Sequence, residues 1–133
     1  GKGKEEPVVV RSPATKEVRL WELPRVLTCN IKRFAATDKG RTRKLDRHVP
    51  FPLELDLGPF LHQKSPYPRG GERTVYDLFG VVVHHGSLSS GHYVAYARAG
   101  PEAKEWHHFS DTSVKPADQS KVLDSEAYIL FYQ

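Results

Sequence analysis

Residues 74–98 read Thr-Val-Tyr-Asp-Leu-Phe-Gly-Val-Val-Val-His-His-Gly-Ser-Leu-Ser-Ser-Gly-His-Tyr-Val-Ala-Tyr-Ala-Arg, two strand-forming runs around a glycine- and serine-rich loop. Thr74–His85 is rich in β-branched and aromatic residues, and Val81-Val82-Val83 reads as a buried central strand. His92–Arg98 alternates Tyr93, Ala95 and Ala97 against Val94, Tyr96 and Arg98, the period-two pattern of a strand with two different faces.

Outward from this pair the chain stays β-rich. Downstream, Ala99–Lys104 is a loop and Glu105–Phe109 a short aromatic strand. Lys115–Leu123, with Pro116 early and Val122-Leu123 late, reads as one short helix, and Ala127–Tyr132 as a closing strand. Upstream, Glu17–Trp21 alternates as a half-buried strand until Leu23-Pro24 breaks it, because proline cannot donate to a ladder. Val26–Phe34 is a second strand, Ala35–Arg43 a loop with Asp38-Lys39-Gly40 at its turn, and Lys44–Val49 a return strand. Pro50-Phe51-Pro52 interrupts the sheet, Leu53–Leu61 has room for one helical turn, and His62–Arg73 is an exposed connection rich in proline and glycine. Residues 1–16 read as a tail or connecting segment and 17–133 as the folded unit. The expected class is α+β, mostly antiparallel β.

Composition bounds the function. The chain has 133 residues, 38% of them hydrophobic and 27% charged, enough for one domain with a small core. No apolar run approaches the roughly 18–20 residues of a membrane span. The start, Gly1-Lys2-Gly3-Lys4-Glu5-Glu6, lacks the apolar stretch of a secretory leader. Cys29 is the single cysteine, so no disulfide forms within the chain and no zinc site can draw two cysteines from it, which fits a reducing compartment. The chain contains no methionine, even at position 1, so it reads as a fragment or a processed chain. Net charge is +4, and the densest basic group is Lys39-Gly40-Arg41-Thr42-Arg43-Lys44. That group suits a solvated hairpin tip or a contact for an acidic partner. No aromatic residues are interleaved with it as a single-strand stacking platform requires, so nucleic acid is the weaker alternative.

One constellation carries chemistry. Symmetric antiparallel pairing of His92–Arg98 with Glu105–Phe109 sets His92 opposite Asp111 and Tyr93 opposite Ser110. A one-residue bulge sets Ser110 opposite His92 instead. Either register brings an imidazole and an oxygen-bearing side chain to the same end of neighbouring strands. Such an oxygen fixes the tautomer and leaves the other ring nitrogen free as a base. An ordinary hydrogen-bonded histidine at a strand end has the same layout, and geometry alone leaves both readings open. His84, His85, His107 and His108 lack the i, i+4 spacing of a helical metal site. No nucleophile is evident: Ser87, Ser89 and Ser90 fail the G-x-S-x-G pattern, and Cys29 lies mid-strand among apolar neighbours, where a thiol is usually inert.

Four segments carry a family resemblance. Leu23-Pro24-Arg25-Val26-Leu27 leading to Ile31-Lys32-Arg33-Phe34 is similar to the "LP-x-VL…LKRF" strand of the ubiquitin-specific proteases, and Gly91-His92-Tyr93-Val94-Ala95-Tyr96 resembles their histidine box. Trp106–Val114 and Ala127–Tyr132 resemble the two segments that follow it. Order and spacing agree over about residues 14–133. The finer pattern of Phe51–Phe60, Ser110-Asp111 and Lys121–Ser125 is similar to the family's members sixteen and forty-five.

The resemblance implies a papain-like cysteine protease built as thumb, palm and fingers, with this chain as the palm and part of the fingers. It implies a deubiquitinase that hydrolyses the bond after ubiquitin's terminal glycine and needs no cofactor or metal. His92 is then the general base, Ser110 stands where the family usually has Asp or Asn, and Asp111 matches the acidic residue that follows. Because a hydroxyl stabilises imidazolium less than a carboxylate does, loss of Asp111 is expected to hurt at least as much as loss of Ser110. Phe34, His85, Gly91 and Tyr93 are expected to line the channel for ubiquitin's tail, flanked by loops 35–43 and 86–90. The family's cysteine box and zinc-ribbon cysteines are absent, so the chain alone is expected to be inert and to need the cysteine-bearing half as a second chain. The implied partners are ubiquitin and a ubiquitinated protein, histone among the candidates, in the nucleus or cytoplasm and away from membranes. A non-catalytic ubiquitin-binding module is the alternative.

Overall fold

The computed structural model describes residues 12–36, 40, 42–67, 73–87, 90–100 and 102–133. Among them, β1 (Leu27–Asn30), β4 (Glu54–Asp56), β5 (Val75–Gly86), β6 (Gly91–Ala97), β7 (Trp106–Ser110), β8 (Ser113–Ala117) and β9 (Ala127–Tyr132) form one sheet. Its order is β1-β9-β5-β6-β7-β8, with β4 added to β5, and every pairing is antiparallel. A separate hairpin pairs β2 (Phe34–Ala36) with β3 (Thr42–Lys44). The only helices among the described residues are one 3-10 turn, Gly58–Phe60, and α1 (Gln119–Leu123).

β5 is the hub because its apolar residues serve both faces. Leu78 and Val81 are fully buried and Val83 is nearly so, while Val82 on the opposite face is half-buried. The buried face continues through Val94, Trp106, Leu130 and Tyr132, and Leu23, Phe51, Leu57 and Val122 close over it. Each fully buried aliphatic side chain contributes about 1.5–3 kcal/mol. Burial also pushes the Tyr132 hydroxyl up to about 12, and it donates to the Pro52 carbonyl at 2.8 Å.

Two irregularities in the β5–β9 pairing shape what lies above the core. Phe79 is the extra residue between Leu78↔Tyr132 and Gly80↔Phe131, and Tyr128 the extra one between Val82↔Ile129 and Val83↔Ala127. A bulge of this kind re-aims a side chain.

The central strands fall where their patterns put them, and the edges differ. Glu17–Trp21 is not a strand: Leu20 makes a single parallel bridge to Leu61, and the segment stays exposed, with no neighbouring strand to complete its ladder. The run from Val26 to Phe34 divides into β1 and β2, interrupted where Arg33 turns its side chain inward. The return strand ends at Lys44 rather than continuing to Val49. Leu53–Leu61 holds β4 before its 3-10 turn, and Lys115–Leu123 is divided between β8 and α1. Pro116 is tolerated in β8 because that strand is the sheet's edge. Residues 12–16 are irregular and exposed, and the tail before them lies outside the described residues.

Candidate active site

The open end of the β5–β6 ladder gathers the expected site residues. Gly86 pairs with Gly91, His85 with His92 and His84 with Tyr93. Gly86 has φ +107°, and a Cβ there would sit 2.7 Å from the Gly91 Cα, so the turn requires glycine. Gly91 is constrained by packing: a Cβ would overlap the His84 ring and lie 2.6 Å from the His85 carbonyl oxygen.

His92 Nε2 and Ser110 Oγ are 2.8 Å apart. The β6–β7 register is neither of the two expected. Ala95 faces Phe109, Tyr96 faces His108 and Ala97 faces His107, and the ladder stops there. The register sets Ser110 beside Val94, and because residues two apart share a face, Ser110 reaches His92 diagonally. Asp111 follows at the first position of the two-residue turn closing β7 onto β8, with φ 49°. Asp111 is exposed and, among the described residues, its carboxylate has no hydrogen-bond partner, so the expectation that it matters at least as much as Ser110 has no contact there behind it.

An aromatic group lies beside this pair, on the other face of β6. The His84 ring is 4.6 Å from Tyr93, 5.8 Å from Phe34 and 6.2 Å from Tyr128, centroid to centroid. Phe34 and Tyr93 each stand 6.2 Å from Tyr128. The structure thus brings together Phe34, Tyr93 and Gly91 of the expected channel residues. His85 is not with them: it is exposed and faces His92 across the ladder, while the buried histidine in the group is His84. Hairpin pairing alone was enough to make that distinction, because only His84 can share a face with Tyr93 across Gly86↔Gly91. Tyr128 could not be found from the sequence, since regular alternation does not reveal a bulge.

The β2–β3 hairpin forms the neighbouring wall and is held by two cations. Arg33 is 2% exposed; its Nε donates to the Ala127 carbonyl at 2.7 Å and its Nη1 to those of Leu45 and Arg47 at 2.8 Å. Lys44 Nζ donates to the His84 carbonyl at 2.8 Å. Lys44 therefore leaves the basic group expected at a solvated tip and faces inward; Lys39 and Arg41 lie outside the described residues.

Cys29 stands on β1, with β9 and β5 between it and β6, so at ordinary strand spacing it is about 14 Å across the sheet from His92. Burial pushes its thiol up, against thiolate formation. Among the described residues no three His, Cys, Asp or Glu side chains converge as a metal site.

Comparison with known proteins gives a consistent result. The family model described as "Ubiquitin carboxyl-terminal hydrolase" matches residues 4–132. The chain is 40% identical over 139 aligned residues to ubiquitin carboxyl-terminal hydrolase 1 of Arabidopsis thaliana, covering 96% of this chain and 13% of that protein. It is 38% identical to hydrolases 45 and 16 of Danio rerio, covering 93% and 90% of this chain and 18% and 17% of theirs. Among solved structures, the SAGA DUB module of Ubp8, Sgf11, Sus1 and Sgf73 bound to monoubiquitin matches with TM-score 0.71 and 35% identity, over 84% of this chain and 23% of that one. The same module bound to ubiquitin aldehyde matches with TM-score 0.70 and 33% identity, over 84% and 24%. The chain therefore spans less than a quarter of the length of each of these proteins.

Proposed function

The chain belongs to the ubiquitin carboxyl-terminal hydrolase family, and from that premise we propose that it supplies the general base and the ubiquitin-tail site of a cysteine-type deubiquitinase. The observation that carries the reading is the His92–Ser110 hydrogen bond, set beside an aromatic group at the open end of the sheet. With Ser110 Oγ accepting from Nε2–H, Nδ1 is the free nitrogen. It takes the proton of a cysteine thiol carried by the remainder of the catalytic domain. The thiolate attacks the carbonyl of ubiquitin's terminal glycine, His92 returns the proton to the departing amine, and water then cleaves the thioester with His92 again as base. Ser110 holds the ring and Asp111 shapes the turn behind it. Phe34, His84, Tyr93 and Tyr128 receive the tail, in which glycines without Cβ atoms suit a passage walled by Gly91.

On this reading the partners are ubiquitin, the cysteine-bearing segment and a ubiquitinated protein. Histone is a candidate substrate and the nucleus or cytoplasm the setting. One observation favours the binding-module alternative: the ring partner is a neutral hydroxyl, which stabilises imidazolium weakly. Ubiquitin carrying a thiol-reactive C-terminus separates the two. Added to the polypeptide that joins this chain to the cysteine, it should give an adduct on that cysteine, with turnover of a ubiquitin ester that His92→Ala abolishes. Binding with neither adduct nor turnover would establish the module instead, and an adduct on Cys29 would overturn the assignment of the nucleophile.

A further inference from the structure

We propose that Lys44 is a positioning residue for the ubiquitin-tail pocket, acting through His84; the inference rests on the functional reading above. Lys44 begins from an unusual place for a lysine. It lies directly opposite Phe34 in the β2–β3 hairpin, and its side chain is 12% exposed. Its Nζ donates to the His84 carbonyl at 2.8 Å and also pairs with two carboxylates, Asp46 Oδ1 at 3.4 Å and Glu126 Oε2 at 4.0 Å.

That carbonyl needs a partner for a reason set by the sheet. The β5–β9 pairing ends at Val83↔Ala127, so His84 is the first β5 residue with no strand on that side. An unpaired carbonyl at a buried residue is costly, and the ammonium group takes the place of the missing strand. The His84 ring is fixed from the same hairpin, since Phe34 packs edge-on against it while Tyr93 and Gly91 close the other sides. Its Nδ1 is buried and has no hydrogen-bond partner among the described residues, so packing rather than a polar contact of that atom fixes the ring there. One rung of the hairpin, Phe34↔Lys44, therefore fixes both the main chain and the ring of the residue at the centre of the aromatic group. His92 is held separately, through Ser110 on the opposite face. Lys44 should govern how well the tail is received and leave the activation of the cysteine unchanged.

The test uses the polypeptide carrying both this chain and the catalytic cysteine, with two alkylating probes. Ubiquitin bearing a thiol-reactive C-terminus must pass through the pocket, whereas iodoacetamide reaches the thiol without it. Lys44→Met should slow labelling by the ubiquitin probe about tenfold, the loss of one charge-assisted hydrogen bond, with the iodoacetamide rate and its pH profile unchanged. If Lys44→Met does not fold, Lys44→Gln, which is neutral, polar and too short to reach the carbonyl, should show the same selective slowing. Equal loss with both probes would make Lys44 merely structural, and wild-type rates with the ubiquitin probe would remove it from the pocket; either result overturns the proposal. Failure of the unmodified protein to react with the ubiquitin probe would instead refute the functional reading beneath it.

Discussion

The two halves of the β5–β6 ladder are built on one register and behave as different materials. In the lower half, Val81↔Tyr96, Val82↔Ala95 and Val83↔Val94 pair over a closed apolar face, with Val81 fully buried. In the upper half, His84↔Tyr93, His85↔His92 and Gly86↔Gly91 continue the same hydrogen bonds with His92 exposed and Tyr93 56% exposed. The lower half holds its shape by burial. The upper half borrows its geometry from that ladder and adds specific fasteners: Ser110 on His92, Lys44 on His84, and two glycines where a Cβ does not fit. Chemistry placed on the open end of a rigid scaffold is accurately aimed yet reachable by a substrate.

The comparison breaks if the halves cannot be damaged separately. His92→Ala should lower kcat for a ubiquitin ester by about 10²–10⁴-fold, the contribution of a general base, with the melting temperature unchanged. Leu78→Ala, in the fully buried core that continues below the lower half, should do the reverse: about 2–5 kcal/mol lost in denaturant unfolding, and normal kcat in the fraction that remains folded. A matching loss of activity per folded molecule would mean the two halves are one cooperative unit.

Smaller changes sharpen the picture within the upper half. Gly91→Ala should cost about 1–3 kcal/mol of overpacking, visible as both a lower melting temperature and slower ubiquitin-probe labelling, because the His84 ring must move. Ser110→Ala should reduce kcat/KM about tenfold and Asp111→Asn less, since of the two it is Ser110 that touches the imidazole. The opposite order in steady-state kinetics would give the orienting role to Asp111. At the buried end, the Tyr132 hydroxyl titrates at about 12 folded against about 10 unfolded. Its contribution is therefore fully present below pH 10 and lost as pH rises towards 12, which a denaturant midpoint measured across that range should follow.

How much of this was legible depended on how much the residues determine locally. β9 was read at its limits, and β5 and β6 to within one residue, because Val81–Val83, Tyr93–Ala97 and Ala127–Tyr132 are rich in β-branched and aromatic residues and find neighbouring strands to pair with. Glu17–Trp21 has an equally good alternation and forms only one bridge, because a strand also needs a neighbour and the sequence does not specify one. The His92–Ser110 pair was within reach of hairpin counting, although the register differed by a step, since a diagonal contact tolerates that error. The exchange of His84 for His85 is less forgiving: one residue along a strand is the other face. Tyr128 and Lys44 enter the site through a bulge and through the end of a ladder, both products of tertiary pairing.

The most direct test of the central claim, that this chain supplies the base for a cysteine it does not carry, is the pH dependence of iodoacetamide alkylation at that cysteine. In the polypeptide joining the two, the account predicts a reactive thiolate well below the ordinary thiol range of about 8.5, and its return to that range in His92→Ala. Identical profiles with and without His92 would contradict it.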